Sequence, residues 1–339
     1  MEPPAGVAAP VSVVIVNYNG AGVLEPCLHS VFAQPYRPIE VILVDNASTD
    51  GSVEAAMRLF PAVRFVRNET NRGFAQGNNQ GVALATGRYI ALLNNDTVVG
   101  PQWLPGLVAM LQRPGMGVVT SRVITDGVPQ EYYDMNGTIN YLGYNIMRYF
   151  PDLSRVFFAG GASLMFRRED VALPFLEEYF LYHEDVFLSW RLRLLGYEVA
   201  MAQDSVVGHR GSVTTRRQPD RLVTFYQERN RLLNALLMYE GRTLAILLPY
   251  FLADAVAKLA MSIAGGRKSL AGIFAAYRWV ATHREWILRR REELQAVRKV
   301  PDRDILRLMS SRIVDSPAVT ARMLNAMSRA YARVTGLLP

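Results

Sequence analysis

Three apolar runs, VSVVIV (11–16), EVILV (40–44) and YIALL (89–93), each stop at a polar cluster. The first ends in Asn17-Tyr18-Asn19, the second in Asp45-Asn46-Ala47-Ser48-Thr49-Asp50-Gly51, the third in Asn94-Asn95-Asp96. Unbroken apolar runs of this length read as strands buried on both faces of a parallel sheet. Helical patterns near 21–33, 51–60 and 74–86 lie between the runs, with a further strand at 63–66. Strand and helix alternating at this spacing predict βαβ units and a Rossmann-like, mostly parallel sheet flanked by helices. Ligands of open α/β sheets bind outside the carboxyl ends of the strands, where these polar clusters fall.

The pattern loosens over 117–160. GVVTSRVI reads as a strand, and the stretch to Phe150 is rich in Gly, Asn and Tyr. FFAGGASLMFRRED then predicts a Gly-rich turn, a strand and a helix start. HEDVFLSWRLRLLGY predicts a helix with Phe187, Trp190 and Leu194 on one face. EVAMA predicts a short strand leading to Val207-Gly208-His209. From about 225 onward every signal is helical. The run LAILLPYFLADAVAKLAMSIAGG has the roughly 20 residues that span a bilayer, but Pro249, Asp254 and Lys258 interrupt it. A charge at mid-bilayer is costly, so a helix lying in the membrane interface is the expectation.

Charge sharpens this division. Residues 1–225 hold 18 Lys+Arg against 21 Asp+Glu, and residues 226–339 hold 19 against 9, which together make the chain's 37 and 30. A basic, apolar, Trp-containing tail (Trp279, Trp286, Arg289-Arg290-Arg291) suits an anionic lipid surface better than nucleic acid, and a second copy of the chain is the other surface its helices could pack on. The single cysteine, Cys27, rules out an internal disulfide and suits a reducing compartment. MEPPAGVAAP has neither a basic n-region nor a long apolar h-region, so no signal peptide is read and a cytosolic location is expected.

The candidate chemistry sits at the strand ends. Asp96 can ligate Mg²⁺ or Mn²⁺, which take oxygen ligands and bridge substrate phosphates; the plain alternative is a strand-end turn. Asp45 can accept from a base or ribose, or merely belong to a loop that Asp50 and Ser52 cap. Asn71-Arg72-Gly73-Phe74 opens a helix whose free N–H groups, with Arg72, could meet phosphate; an ordinary capped helix explains it equally. Glu184-Asp185 opens another helix, where a carboxylate can act as general base or simply favour the helix dipole. His209 can ligate metal or be an ordinary loop histidine. There is no GxGxxG and no GxxxxGK[ST].

The succession VSVVIVNYNG, EVILVDNASTDGS, ETNRGFAQGNNQG, YIALLNND, FFAGGASLMFRRE, HEDVFLSWRLRLLGY and GHRGS resembles glycosyltransferase family 2, the inverting GT-A fold, over about residues 10–225. Within it the chain is most similar to rhamnosyltransferase-like enzymes of bacterial cell-envelope polysaccharide synthesis, including the tail with RNRLLNALL. The resemblance implies a GT-A catalytic domain at 10–225 and a helical, basic, membrane-associating extension at 226–339. It implies a donor site of Asn17, Asn19, Asp45, Asn71, Gly73, Asn78, Asn94, Asn95 and Arg191. Asp96 and His209 are implied to hold Mg²⁺ or Mn²⁺. Gly160, Gly161 and Ala162 are implied as the loop beside the acceptor, and Asp185 as general base with Glu184 beside it. The implied partners are a dTDP- or UDP-linked sugar (dTDP-rhamnose within the subgroup) and a polyprenyl-diphosphate-linked saccharide, met on the inner face of the plasma membrane. The chain departs from the family at its DxD, which reads Asn94-Asn95-Asp96, at Phe187, where many relatives carry a second acid, and in lacking the QxxRW of processive relatives. The first departure leaves a non-catalytic nucleotide-sugar-binding scaffold as the alternative function.

Overall fold

The computed structural model describes residues 9–126, 137–146, 156–211, 219–263, 269–313 and 319–336. Its first half alternates as the pattern predicts: β1 (Val11–Asn17), α1 (Leu24–Phe32), β2 (Ile39–Asp45), α2 (Ser52–Leu59), β3 (Arg64–Arg67), α3 (Gly73–Leu84) and β4 (Tyr89–Asn94). β1 pairs in parallel with β2 and β4, and the register sets Asn17 opposite Asp45 and Val16 opposite Asn94. The three polar strand ends therefore lie side by side.

The rest of the sheet is mixed. β5 (Thr97–Val99), α4 (Trp103–Leu111), β6 (Met116–Thr125), β7 (Ser163–Arg167), α5 (Glu184–Leu194) and β8 (Glu198–His209) complete the order β3-β2-β1-β4-β7-β6-β8-β5. β7 runs antiparallel to β4 and pairs Ser163 with Leu93, which lays the Gly160–Ala162 turn against the end of β4. β5 runs antiparallel to β8 and pairs Thr97 with His209. His209 is thus the last residue of a long strand.

Alternate side chains of the central strands feed two cores. Val13, Ile15 and Leu43 pack with α1, α2 and α4 on one face. Val14, Ile42 and Leu92 pack with α3 and α5 on the other. α3 lies close enough to β1 that a Cβ on Gly81 would collide with the Val14 side chain.

Two local expectations fail. No α-helix follows β7: residues 168–176 are turns and coil, because Pro174 lacks an amide and disfavours the α region for Leu173. α5 buries Phe187, Trp190 and Leu194 as expected, but Val186, Leu188 and Leu192 as well. It is enclosed between the sheet and the tail. Residues 127–136 and 147–155 of the loose stretch lie outside the described residues.

The tail comprises α6 (Asp220–Met238), α7 (Gly241–Ile263), α8 (Leu270–Thr282), α9 (Arg284–Ala296), α10 (Asp302–Leu306) and α11 (Val319–Val334). The division expected between 225 and 226 falls inside α6. Leu233, Leu237, Met238 and Tyr239 join the same core as Ile42, Leu92 and Trp190, so the first tail helix is built into the sheet half. α7 does not carry Asp254 and Lys258 on an open face. Asp254 Oδ2 meets Arg231 Nη2 at 3.0 Å and Lys258 Nζ at 2.6 Å, and Lys258 also pairs with Glu228. Leu248, Leu252, Val256 and Ile263 remain exposed along the opposite side.

Candidate active site

A cavity of about 280 Å³ opens at the strand ends. The β4 end supplies Asn94, Asn95 and Asp96 to its wall, and the turn before β7 supplies Gly161 and Ala162. The start of α5 supplies Glu184 and Asp185, and β8 supplies His209. Asn71 and Gly73 close it from α3. The sheet register is the cause of this convergence, since residues more than 100 positions apart meet only because β4 and β8 end, and β7 begins, at one edge.

Asp96 and His209 face each other, with Nε2 3.1 Å from Asp96 Oδ1. The Arg210 N–H donates to the Asp96 carbonyl at 3.0 Å and fixes the two chain segments together. Among the described residues no group of three or more His, Cys, Asp or Glu could enclose a metal. One carboxylate and one imidazole nevertheless fit a Mg²⁺- or Mn²⁺-type ion, because such ions use one or two protein ligands and complete their shell with water and substrate phosphate.

Asp185 and Glu184 are adjacent yet differ in environment. Asp185 Oδ2 accepts from the Gly161 N–H at 3.0 Å, and Oδ1 accepts from the Val186 N–H at 2.8 Å. Burial raises its pKa, and these two amide bonds oppose the rise. Glu184 is buried, and its Oε2 has no hydrogen-bond partner among the described residues. Burial pushes the Glu184 carboxyl well up, and the Asp185 charge adds to the shift. Burial thus raises both carboxyls, and only Asp185 has amide donors that oppose the rise.

Several expected donor residues lie behind the cavity wall. Asn17 is fully buried; its Nδ2 donates to Ser48 and Ser52 hydroxyls at 3.1 Å, and its Oδ1 accepts from Asn95 Nδ2 at 2.7 Å. Asn19 Oδ1 accepts from the Thr49 N–H, and the Asp45 carboxylate accepts from the Ser48 N–H. These three knit the β1 and β2 ends together. Asn78 Nδ2 bonds back to the Phe74 carbonyl, and Gly160 takes the Ser163 N–H. Arg191 lies over the Phe187 ring and donates to the Leu173 carbonyl, away from the strand ends.

The phosphate role expected of the α3 N-terminus is not supported by its bonding. The Gly73 N–H donates to Asn71 Oδ1, and the Phe74 and Ala75 N–H groups donate to the Phe180 carbonyl at 2.7 and 3.2 Å. Its first amides are taken up within the protein, and Arg72 is exposed outside the cavity. Asp50, rather than Ser52, serves the start of α2: its Oδ1 accepts from the Ser52 N–H at 3.1 Å.

The loop before α5 went unseen in the sequence. Phe180, Leu181 and Tyr182 line the cavity, and Phe180, Tyr182 and His183 have positive φ values of 57°, 69° and 65°. Such backbone is strained for residues with side chains. Asn230 of α6 holds it, its Nδ2 donating to the carbonyls of Tyr179, Leu181 and Tyr182. The Tyr226 ring stacks on Phe180 at 5.0 Å. Gly73 fits beneath this loop because a Cβ there would lie 2.5 Å from Phe180.

Comparison with known proteins agrees with this geometry. Residues 12–172 match the sequence profile of "Glycosyl transferase family 2". Glycosyltransferase GlyG of Streptococcus pneumoniae serotype 4 is 36% identical over 112 residues, 32% of this chain and 37% of its own. The succinoglycan biosynthesis protein ExoO of Rhizobium meliloti is 30% identical over 125 residues, 36% of each chain. The alignments thus span about a third of these relatives' length. S. aureus TarS 1–349 in complex with UDP superposes with a TM-score of 0.53 at 17% identity, over 97% of this chain and 89% of that one. This likeness shows the GT-A fold, tail included. With that fold and a strand-end cavity to which the matched stretch contributes Val16 to Ala162, residues 12–172 are similar to glycosyl transferase family 2.

Proposed function

We propose that the chain is an inverting glycosyltransferase that moves a sugar from a nucleoside diphosphate to a saccharide hydroxyl. The carrying observation is that the Asp96–His209 pair and the Asp185 carboxylate line one cavity. In this reading the nucleotide lies over the β1, β2 and β4 ends, bounded by Tyr18, Asn46, Asn71 and Asn94. Asp96 and His209 would hold a divalent ion on the diphosphate. When bound, that ion would offset the charge developing on the leaving group. Asp185, aimed by the Gly161 and Val186 amides, accepts the proton of the acceptor hydroxyl as it attacks the anomeric carbon from the face opposite the diphosphate. The phosphate–sugar bond breaks, the new glycosidic bond forms, and the anomeric configuration inverts. The Phe180–Tyr182 loop keeps water from the reacting carbon.

Rhamnose from dTDP-rhamnose is the donor we assign from the subgroup resemblance, and polysaccharide synthesis is the setting that the ExoO likeness favours. We assign a lipid-linked acceptor on the strength of α7. Asp254 and Lys258 tie its inner face to α6, while Leu248, Leu252 and Val256, four residues apart, leave an apolar outer stripe. Lying flat in the interface of an anionic inner leaflet, this stripe would bring the site to a polyprenyl-diphosphate saccharide, with each nearby Lys or Arg adding about 1 kcal/mol.

The test is nucleoside-diphosphate release from a panel of dTDP-, UDP- and GDP-sugars, with and without Mn²⁺, comparing the full chain with Asp96→Ala. Release from one donor that requires Mn²⁺ and Asp96 is expected. Nucleotide binding with no release or transfer from any donor would overturn the enzyme reading in favour of the scaffold.

A further inference from the structure

Behind the strand-end cavity, four buried residues close a ring of hydrogen bonds. Trp103 opens α4, Ser121 lies on β6, Ser163 opens β7 and Ser205 lies on β8. Trp103 Nε1 donates to Ser163 Oγ at 2.8 Å, and Ser205 Oγ donates to the Trp103 carbonyl at 2.9 Å. Between them, Ser121 Oγ lies 2.7 Å from Ser163 Oγ and 2.8 Å from Ser205 Oγ. An indole N–H only donates, a carbonyl only accepts, and each hydroxyl has one proton. The Ser205 proton is committed to the carbonyl, so Ser121 donates to Ser205 and Ser163 donates to Ser121. The ring therefore runs one way, from Trp103 through Ser163, Ser121 and Ser205 back to Trp103. Bonds aligned head to tail polarise and strengthen one another. β8 departs from regular pairing to supply its member. Ser121 pairs with Ala202 but Arg122 pairs with Val206, so residues 203–205 are extra in β8. Such bulges re-aim side chains.

We propose that this ring positions the general base, acting through the turn that Ser163 ends. The proposal rests on the glycosyl-transfer reading, in which Asp185 takes the acceptor proton. Ser163 directly follows Gly160-Gly161-Ala162. Its side chain sits in the ring, and its carbonyl accepts from Thr120 Oγ1 at 2.9 Å. Its N–H donates to the Gly160 carbonyl at 3.3 Å, and the Ala162 carbonyl accepts from the Asn94 N–H at 3.0 Å. At the other end of the turn, the Ala159 N–H donates to Ser189 Oγ of α5 at 3.0 Å. Between these anchors the Gly161 N–H donates to Asp185 Oδ2 at 3.0 Å. Gly161 has no side chain to hold it and a permissive backbone, so the anchors on either side set the direction of that N–H. Trp103, Ser121, Ser163 and Ser205 do not line the cavity. They are positioning residues, which reach Asp185 through the turn and touch no substrate.

Glycine-selective ¹⁵N labelling of the deuterated full chain tests this, with the Gly161 amide assigned by its loss in Gly161→Ala. In wild type this amide should be protected from solvent exchange. In Ser163→Ala, which opens the ring beside the turn, its proton should move upfield and exchange at least about tenfold faster. In Ser205→Ala, which opens the ring on β8, it should move in the same direction. In both variants kcat should fall at least about tenfold while donor KM stays within about threefold, because the base and not the nucleotide is displaced. A cooperative urea transition shows that each variant folds. A Gly161 amide that stays in place in folded Ser163→Ala, or that moves there but not in folded Ser205→Ala, overturns the ring. So does an unchanged kcat, or a KM that rises as much as kcat falls. Free exchange of the Gly161 amide in wild type overturns it without any variant. The amide signal needs no substrate: wild type that releases no nucleoside diphosphate from any donor would sink the glycosyl-transfer reading, whatever Gly161 does.

Discussion

The Asn230 side chain donates to the Tyr182 carbonyl oxygen at 2.7 Å, tying the first tail helix to the strained turn that presents Glu184 and Asp185. Asn230 is fully buried and also meets the carbonyls of Tyr179 and Leu181. It lines neither the strand-end cavity nor a second cavity beside α6, and acts as a positioning residue. Asn230→Ala should lower kcat by at least about tenfold, with a much smaller change in donor KM, because the turn rather than the nucleotide pocket loses its tether. Asn230→Asp, of equal size but without the N–H donors, should behave alike. Recovery of kcat in the aspartate variant would show that packing, not hydrogen bonding, sets the turn.

In the proposed transfer, Asp185 takes the acceptor's proton. Asp185→Asn keeps the shape and removes the base, so turnover should fall by roughly 10²–10⁴-fold. Nucleotide affinity, measured by calorimetry, should stay within about threefold, since a change below 1 kcal/mol is expected for a side chain outside the nucleotide wall. Turnover near the wild-type rate would remove Asp185 from that role.

Glu184 should make stability depend on pH in a definite sense. Its folded-state pKa is raised by burial and by Asp185, so the folded protein holds a proton that the unfolded chain gives up near pH 4.3. The associated stability is full below that value and is lost as pH rises toward the elevated folded-state pKa. Glu184→Gln, neutral at every pH, should therefore lose less stability than wild type in urea titrations run from pH 5 upward. Parallel stability curves for the two proteins would show that Glu184 is ionised in the fold.

Charges of α6 and α7 pair with one another: Arg231 and Lys258 each meet both Glu228 and Asp254. Asp254→Ala takes one of two carboxylate partners from both Lys258 and Arg231 and removes the acceptor of the Tyr144 hydroxyl bond. Removing one partner of a buried pair costs about 3–5 kcal/mol. Replacing Asp254 and Lys258 together by leucine keeps the Glu228–Arg231 pair and should cost less than Asp254→Ala by itself. The urea midpoints of the two proteins give the comparison, and the reverse order would mean that the network is worth more than its apolar replacement.

The sequence by itself determined the parallel half of the sheet, the strand ends and the order of their polar clusters. Strands buried on both faces have to be continuously apolar, and helices between them have to show one apolar stripe, so both periods are written locally. Its resemblance to the family also implied one shared site for Asp96, Asp185 and His209. Only the tertiary structure decided which polar residues face the cavity. Asn17, Asn19 and Asp45 satisfy one another's loops, and Asn78 and Arg191 satisfy nearby carbonyls, because a buried polar atom takes the nearest partner whatever its family position. The α3 amides meet Phe180 for the same reason. The largest difference lies in the tail. Asp254 and Lys258 looked like breaks in an apolar helix. Their partners Glu228 and Arg231 lie more than 20 residues earlier, and no local pattern can encode a pairing that exists only once α7 lies along α6.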